Sequence, residues 1–346
     1  MNYKPTSFDI AQRAGVSQPT VSRALRGHPS VSEATRKRIE AIAAQLNYTL
    51  DENASRLRSR TSKTLALLFF EEVAPEDSSI NPFFLSMLGS ISRSCSRHGY
   101  DLLASFQQLS RNWHVDYEDS HKADGIMLLG YGDYEDYREK LALLEHEGTH
   151  YVRWGAVNAD YPDGTIGCDN RLGGEMAARH LIERGYRRIA FLGEASSRAP
   201  EMDDRYRGAC DAMRTHGLIP DPALYVSAQA NEASGHAAAQ TLLARGANFD
   251  AVFAACDLIA VGAMRAFEEA GLKVPQDLGI IGFDDIPIAG QTTPPLTTIA
   301  QDYARAGTML VETLIARING QAAPTMLLTP QLIVRQSTRA APTGQN

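Results

Sequence analysis

Apolar positions recur at helical spacing through the first fifty residues and as strand-like runs thereafter. In the opening stretch, Ile10, Ala11 and Ala14 share one helical face. Thr6 and Asp9 have the spacing of a capping box, which predicts a helix start. Gly15 predicts its end, since glycine takes positive φ at little cost. Ser17 is the predicted cap of a second helix with Val21, Ala24 and Leu25 on its inner face and Gln18, Thr20, Ser22 and Arg23 elsewhere. A third helix is predicted from Ser32 to Leu46, closing a small core through Ile39, Ile42, Ala43 and Leu46. The next segment, from Asp51 to Arg60, is polar apart from Ala54 and Leu57, too short and polar to hold a helix alone in water. It reads as a linker that becomes ordered on a partner.

Beyond Lys63, strand-like runs alternate with amphipathic ones. The apolar runs begin at Leu65, Asp101, Gly125, Tyr151, Thr165, Ile189, Ala251 and Gly279. Helical patterns lie between them, among them those beginning at Leu88, Tyr137, Gly173, Arg205, Ser234 and Leu258. Continuous apolar strands each followed by a helix predict parallel sheets covered on both faces. Two such groups predict two lobes, with a first crossing near Asp160–Asp163. Ligands in open α/β sheets sit at the carboxyl ends of strands, so the cleft between the lobes is the expected site.

Two short helices joined by a tight turn admit two readings: a helix-turn-helix that lays its second helix in the DNA major groove, or an ordinary helical hairpin. Charge favours the first. The chain carries a net charge of −7, yet residues 1–63 hold eleven Lys and Arg against five Asp and Glu. A basic head on an acidic body grips phosphates with one part only. There is no run of eighteen apolar residues, and the N-terminus lacks the apolar core of a signal peptide, so a cytoplasmic protein with no membrane segment is expected. Cys95, Cys168, Cys210 and Cys256 are scattered without paired spacing and read as reduced, buried residues. No metal, cofactor, nucleophile-elbow or phosphate-loop motif is present, which argues against an enzyme.

A series of motifs then appears in a telling order. Asp9-Ile10-Ala11, Ala14-Gly15-Val16-Ser17 and Thr20-Val21-Ser22-Arg23 open it, followed by Asn81-Pro82-Phe83-Phe84 and Gly99-Tyr100. Asp169-Asn170, Gly173-Gly174, His180-Leu181 and Gly185-Tyr186-Arg187-Arg188-Ile189-Ala190 come next. Arg205 with Gly208, Val274-Pro275-Gln276-Asp277, Gly282-Phe283-Asp284-Asp285, Pro294-Pro295-Leu296-Thr297-Thr298 and Arg335-Gln336-Ser337-Thr338 complete it. Over essentially its whole length the chain resembles the lactose-repressor (LacI/GalR) family. The resemblance implies a three-helix DNA-binding domain over 1–50, a hinge over 51–63, and an effector-binding and dimerisation domain over 64–340 with a two-lobed, periplasmic-binding-protein-like fold of parallel sheets. The expected N-lobe covers about 64–161 and 292–323, and the C-lobe about 162–291 and 324–340. The implied partners are a second copy of the chain, a palindromic operator and a small molecule, often a sugar. No leucine heptads close the chain, so a dimer rather than a coiled-coil tetramer is expected.

The resemblance places base reading at Ser17, Gln18, Pro19 and Arg23. Glutamine suits adenine and arginine suits guanine, although Arg23 equally suits a phosphate. Pro19 departs from the polar residue frequent at its position and offers an apolar surface. Thr6, Ser7, Thr20 and Ser22 join the expected DNA contacts. Leu57 matches the family's minor-groove wedge, flanked by Arg56 and Arg58; the other reading is a leucine packed on the body. In the cleft, Arg205 matches a ligand-binding arginine, and Asp257 and Asp284 each follow a predicted strand. Trp154 and Phe70 each end one in the first lobe; Trp154 reads either as a stacking platform or as a partly buried core residue. Cys256 stands where relatives often carry asparagine, and the acidic stretch 71–80 is longer than usual. The expected function is a repressor of carbohydrate-utilisation genes released by a sugar. The alternatives are a regulator answering to a nucleobase or other metabolite, possibly as corepressor, and, outside the family, a solute-binding protein.

Overall fold

The structure is a computed structural model that describes residues 5–48, 61–69, 80–106, 112–130, 134–157, 164–322 and 324–340. The chain forms two compact units, Met1–Ser62 and Lys63–Asn346. Arg56, Leu57, Phe70 and nearly all of the acidic stretch 71–80 lie outside the described residues.

The first unit contains α1 (Ser7–Ala14), α2 (Gln18–Leu25) and α3 (Glu33–Gln45). At the start of α1 the Asp9 carboxylate accepts from the Thr6 backbone N–H at 2.7 Å and the Thr6 hydroxyl at 2.6 Å. Gly15 ends the helix in the left-handed region at φ 64°, as its position predicts. Ser17 occupies the cap position of α2, but its hydroxyl pairs with Thr20 Oγ1 at 2.8 Å rather than with a backbone N–H. The core is Ile10, Ala11, Ala14, Val21, Ala24, Val31, Ile39 and Ala43, with Ile42 and Leu46 packed at its edge.

The second unit holds, in order, β1 (Thr64–Phe69), α4 (Pro82–Arg97), β2 (Asp101–Phe106), a π-helix (His114–Asp119), β3 (Ile126–Leu129), α5 (Tyr134–His146), β4 (Tyr151–Trp154) and β5 (Thr165–Cys168). It continues with α6 (Asn170–Glu183), β6 (Ile189–Leu192), α7 (Pro200–Thr215), β7 (Tyr225–Val226), α8 (Glu232–Ala244), β8 (Ala251–Ala254), α9 (Asp257–Glu269) and β9 (Gly279–Asp284). The last elements are β10 (Thr297–Ala300), α10 (Tyr303–Ile318), β11 (Met326–Leu328) and β12 (Gln331–Ile333). One six-stranded sheet has the order β11-β5-β4-β3-β1-β2, with every neighbouring pair parallel. The other has the order β12-β10-β9-β8-β6-β7, parallel except for the β10–β12 pair. Central strands such as β3, β4, β8 and β9 are buried along their whole length, which is why they read as unbroken apolar runs.

Sheet membership moves the lobe boundaries away from the sequence expectation. β5 belongs to the first sheet, so the chain crosses at Asp169 and not near residues 160–163. β10 belongs to the second sheet, which puts the return crossing at Gln301–Asp302 rather than before residue 292. β11 pairs with β5 in the first sheet, so the third crossing falls at 329–330 rather than near 324. Hydrophobic patterning locates a strand but carries no record of which sheet it joins.

Candidate functional site

In the first unit, the residues expected to read DNA share the outer face of α2 and its approach. Ser17, Pro19 and Arg23 are exposed, and Gln18, Thr20 and Ser22 are half-buried. The inner positions Val21 and Ala24 are spent on the core. Gln18 Nε2 donates to Ser7 Oγ at 3.1 Å, which joins the start of α1 to the start of α2. Pro19 is tolerated in the first turn of α2, where its missing N–H costs nothing.

In the second unit, the polar residues converge where strands of the second sheet end. Arg205, on α7, is 6% exposed. Its Nε donates to Asn170 Oδ1 at 2.8 Å and its Nη1 to the Ala255 carbonyl at 2.6 Å. The guanidinium lies 3.7 Å from the centre of the Phe283 ring, a cation–π arrangement. Nη1 also stands 3.6 Å from Asp284 Oδ1. That same oxygen accepts from Gln301 Nε2 at 2.6 Å. Asp284 ends the second-sheet strand β9 with φ 110°, and Asp285 just past it has φ 54°, so two consecutive non-glycine residues hold strained backbone at the site. Asp285 is fixed by Arg335 Nη2 at 2.6 Å. Burial pushes the Asp284 carboxyl up to about 6, and the neighbouring Glu201 adds to the rise, while Arg205 and Gln301 oppose it.

Arg205 Nη2 and Asp284 Oδ2 have no hydrogen-bond partner among the described residues, and neither atom is sealed in the interior. The buried pair therefore presents one donor group and one acceptor. That combination suits a hydroxyl that accepts from the guanidinium while another donates to the carboxylate.

Two expected ligand contacts sit differently. Asp257 is fully buried, and both its oxygens are occupied: Oδ1 accepts from the Thr298 hydroxyl at 2.5 Å and Oδ2 from the Ile286 N–H at 2.9 Å. A Cβ at Gly282 would lie 2.2 Å from Asp257 Oδ1, so the glycine is needed for the carboxylate to fit. Burial and nearby Asp284 hold this carboxyl well above the usual range. Asp257 thus braces the loop after β9 instead of facing the cleft. Trp154, at the end of β4, is 6% exposed and lies against Phe83, with ring centroids 5.9 Å apart, so most of the indole belongs to the core. Cys256 is buried at the start of α9 and its thiol is pushed far up by burial. Asn170, Gln301, Phe283 and Glu201 were not anticipated as site residues. Asn170 and Phe283 lie inside recognisable motifs, whereas Gln301 lies just past a strand the hydrophobic pattern did not reveal.

Glu201 links the lobes. Its Oε1 accepts from the Ala156 N–H at 3.1 Å, joining the first turn of α7 to the segment after β4. Among the described residues no group of three or more His, Cys, Asp or Glu is placed to hold a metal ion, and no helix is long and apolar enough to cross a membrane.

Residues 8–51 match the model of bacterial regulatory proteins of the lacI family, and residues 178–338 match the periplasmic binding protein-like domain. The ribose operon repressor of Haemophilus influenzae is 32% identical over 342 residues, covering 96% of this chain and 98% of that protein. The chain belongs to the lacI family. The transcriptional repressor PurR of Edwardsiella ictaluri is also 32% identical, over 97% of this chain and 98% of its own length. Among solved structures, the lac repressor dimer bound to operator and an anti-inducer aligns with a TM-score of 0.83 at 25% identity, over 98% of this chain and all of that one. A complex of the transcriptional regulator CelR with cellobiose aligns with a TM-score of 0.71 at 29% identity, over 96% and 99% of the two chains. The chain is accordingly a DNA-binding transcriptional regulator and not an enzyme. Its two units are the family's helix-turn-helix domain and its two-lobed effector domain.

Proposed function

We propose that this lacI-family regulator represses carbohydrate-utilisation genes in the cytoplasm. In this reading it binds a palindromic operator as a homodimer and is released by a small sugar seated between the lobes. The observation that carries the sugar reading is the buried Arg205–Asp284 pair with one open donor group and one open acceptor. Neighbouring hydroxyls of a sugar satisfy both at once, and the Phe283 face behind the guanidinium keeps it in place. A ribose operon repressor among the relatives and a cellobiose complex among the structural neighbours support the same ligand class. The same open donor group and acceptor also suit the polar edge of a nucleobase, which gives a second reading in which a nucleobase is the effector.

On the DNA side, Gln18 and Arg23 are the proposed base readers. Ser17, Pro19, Thr20 and Ser22 complete the major-groove surface, Thr6 and Ser7 approach the backbone, and Arg56 and Leu57 act from the hinge. Dimerisation is supported by the sheet edge at β2, which exposes Leu103, and by the neighbouring helix α4, which exposes Leu85.

The test pairs a thermal-shift screen of sugars and nucleobases with an operator mobility shift. A ligand at 100 times its Kd stabilises the protein by about 2.7 kcal/mol. A sugar that raises Tm and releases operator supports the proposal. A nucleobase that raises Tm and tightens operator replaces it with the corepressor reading.

A further inference from the structure

The boundary between the two units falls at Lys63, where the chain arriving from the hinge enters the first sheet. Lys63 has φ 54°, in the left-handed region that a lysine seldom adopts. Thr64, the next residue, already begins β1. The chain therefore bends at a single residue immediately before the strand.

The first sheet holds that bend through its backbone. The Lys63 N–H donates to Asp124 Oδ2 at 3.0 Å, and the Lys63 carbonyl accepts from the Asp101 N–H at 2.8 Å. Asp124 also donates its own N–H to the Thr64 carbonyl at 2.8 Å, so one residue ahead of β3 grips two consecutive residues of the incoming chain. The Lys63 ammonium lies 4.5 Å from the centre of the Tyr100 ring. All these partners belong to the first sheet or to the turns that lead into it.

The second lobe contains the same arrangement. Asp250, just before β8, accepts from the N–H groups of Arg187 and Arg188 at 2.9 Å each and donates its own N–H to the Arg188 carbonyl at 3.0 Å. There the gripped chain comes from α6 of the same lobe, and Arg187 does not share the left-handed φ. The bend is thus added where the chain arrives from the DNA-binding unit, and not where it arrives from within the lobe.

We infer that Asp124 is a positioning residue for operator binding: by fixing the bend at Lys63 it sets the direction in which the first lobe presents the hinge. The inference rests on the operator-binding homodimer proposed above and not on the identity of the effector. A joint that turned freely at residue 63 would let each head sample a larger volume. The second head would then be less concentrated at its half-site once the first is bound.

The probe is a labelled duplex that the wild-type full chain enriches from a randomised pool, with a scrambled duplex of equal length beside it. Affinity is read by fluorescence anisotropy and stability by thermal unfolding. Asp124→Ala removes the acceptor of the Lys63 N–H, Asp124→Asn keeps an oxygen there, and Asp250→Ala makes the equivalent cut in the second lobe. Asp124→Ala is expected to bind the enriched duplex about tenfold or more weakly. It keeps its affinity for the scrambled duplex, where any spacing of the heads serves. Asp124→Asn restores tight binding, and Asp250→Ala lowers Tm without weakening the enriched duplex. Lys63→Gly keeps both the N–H and the bend, since glycine takes positive φ freely, and binds as the wild type does. Wild-type affinity in Asp124→Ala overturns the inference. An equal loss in Asp250→Ala also overturns it, because both carboxylates would then only support the fold. A tenfold loss in Lys63→Gly overturns it too and assigns the lysine charge a direct contact with phosphate. If Asp124→Ala does not fold, Lys63→Pro, which has no N–H and cannot take positive φ, replaces it with the same expected loss. A wild type that enriches no duplex overturns the operator reading and the inference with it.

Discussion

Two glycines set how closely α6 and α7 approach, and that approach places Arg205. A Cβ at Gly174 would lie 2.0 Å from the Arg205 carbonyl oxygen, and a Cβ at Gly208 would lie 2.0 Å from that of Arg171. Gly174→Ala therefore forces the helices apart by about 1 Å or more before ordinary contact is restored. The separation stretches the bond between Arg205 on α7 and Asn170 on α6, now 2.8 Å, beyond hydrogen-bonding range. Overpacking costs about 1–3 kcal/mol, and losing a hydrogen bond to a charged group about 1.5–3 kcal/mol more. Urea unfolding followed by circular dichroism should show a loss of about 2.5–6 kcal/mol. Calorimetry should show effector affinity weakened about tenfold or more, because the guanidinium is no longer held at its place. Gly185→Ala is the control: Gly185 has φ 88° but nothing within 4 Å of its Cβ position, so only backbone strain of about 1–2 kcal/mol is expected, with effector affinity intact. Wild-type unfolding and affinity in Gly174→Ala would refute the reasoning, since the helices could then separate freely without disturbing the site.

Arg205→Ala is expected to abolish the thermal shift given by the effector; a full shift in that variant would place the ligand elsewhere. Gln18→Ala should cost about 1–3 kcal/mol against the operator and relax preference at one base pair per half-site in a mobility-shift series of operator variants. A uniform loss across all variants would instead assign Gln18 to the backbone. Burial lowers His180 to about 4 while its Nε2 pairs with Thr338 Oγ1 at 2.9 Å, so its folded pKa lies below the unfolded value of 6.5. Its contribution is present above pH 6.5 and is lost as pH falls toward about 4, by up to about 3 kcal/mol; unfolding of His180→Asn across that window should be correspondingly less acid-sensitive.

The parts of the fold governed by neighbours in sequence were legible in advance. Gly15 in its left-handed conformation, Asp9 reaching back to Thr6 and the apolar faces of α1 to α3 are local consequences of local residues. The boundaries of the lobes were not, because β5, β10 and β11 are short and their sheet is decided by distant partners. The same limit governs the site. Asp257 stands just past β8 and Asp284 ends β9, and the two look equivalent in sequence. One carboxylate is turned inward to Thr298 and Ile286, while the other keeps an oxygen open, and only packing distinguishes them. Trp154 was placed correctly at a strand end, but the partner that covers it, Phe83, lies on a helix seventy-one positions earlier. Glu201 offered no signal at all, as its importance comes from an N–H in the other lobe.

The crossings between lobes and the charged pair are built from the same residues. Asn170 begins α6 just after the first crossing, donates to the Cys168 carbonyl on the first-lobe side at 3.1 Å, and accepts from Arg205 on the second. Gln301 forms the second crossing and donates to Asp284. The third crossing is tied to the first, because Asp169 N–H donates to the Leu328 carbonyl at 2.9 Å just before the chain passes over. A ligand that takes up Arg205 Nη2 and Asp284 Oδ2 therefore bears on side chains whose other bonds are the hinge itself. Its binding energy depends on the angle between the lobes, and any ligand with such a differential preference shifts the population of lobe angles by that amount and no more. Reciprocity then requires that anything which biases the lobe angle from outside alter the affinity for such a ligand by the same factor.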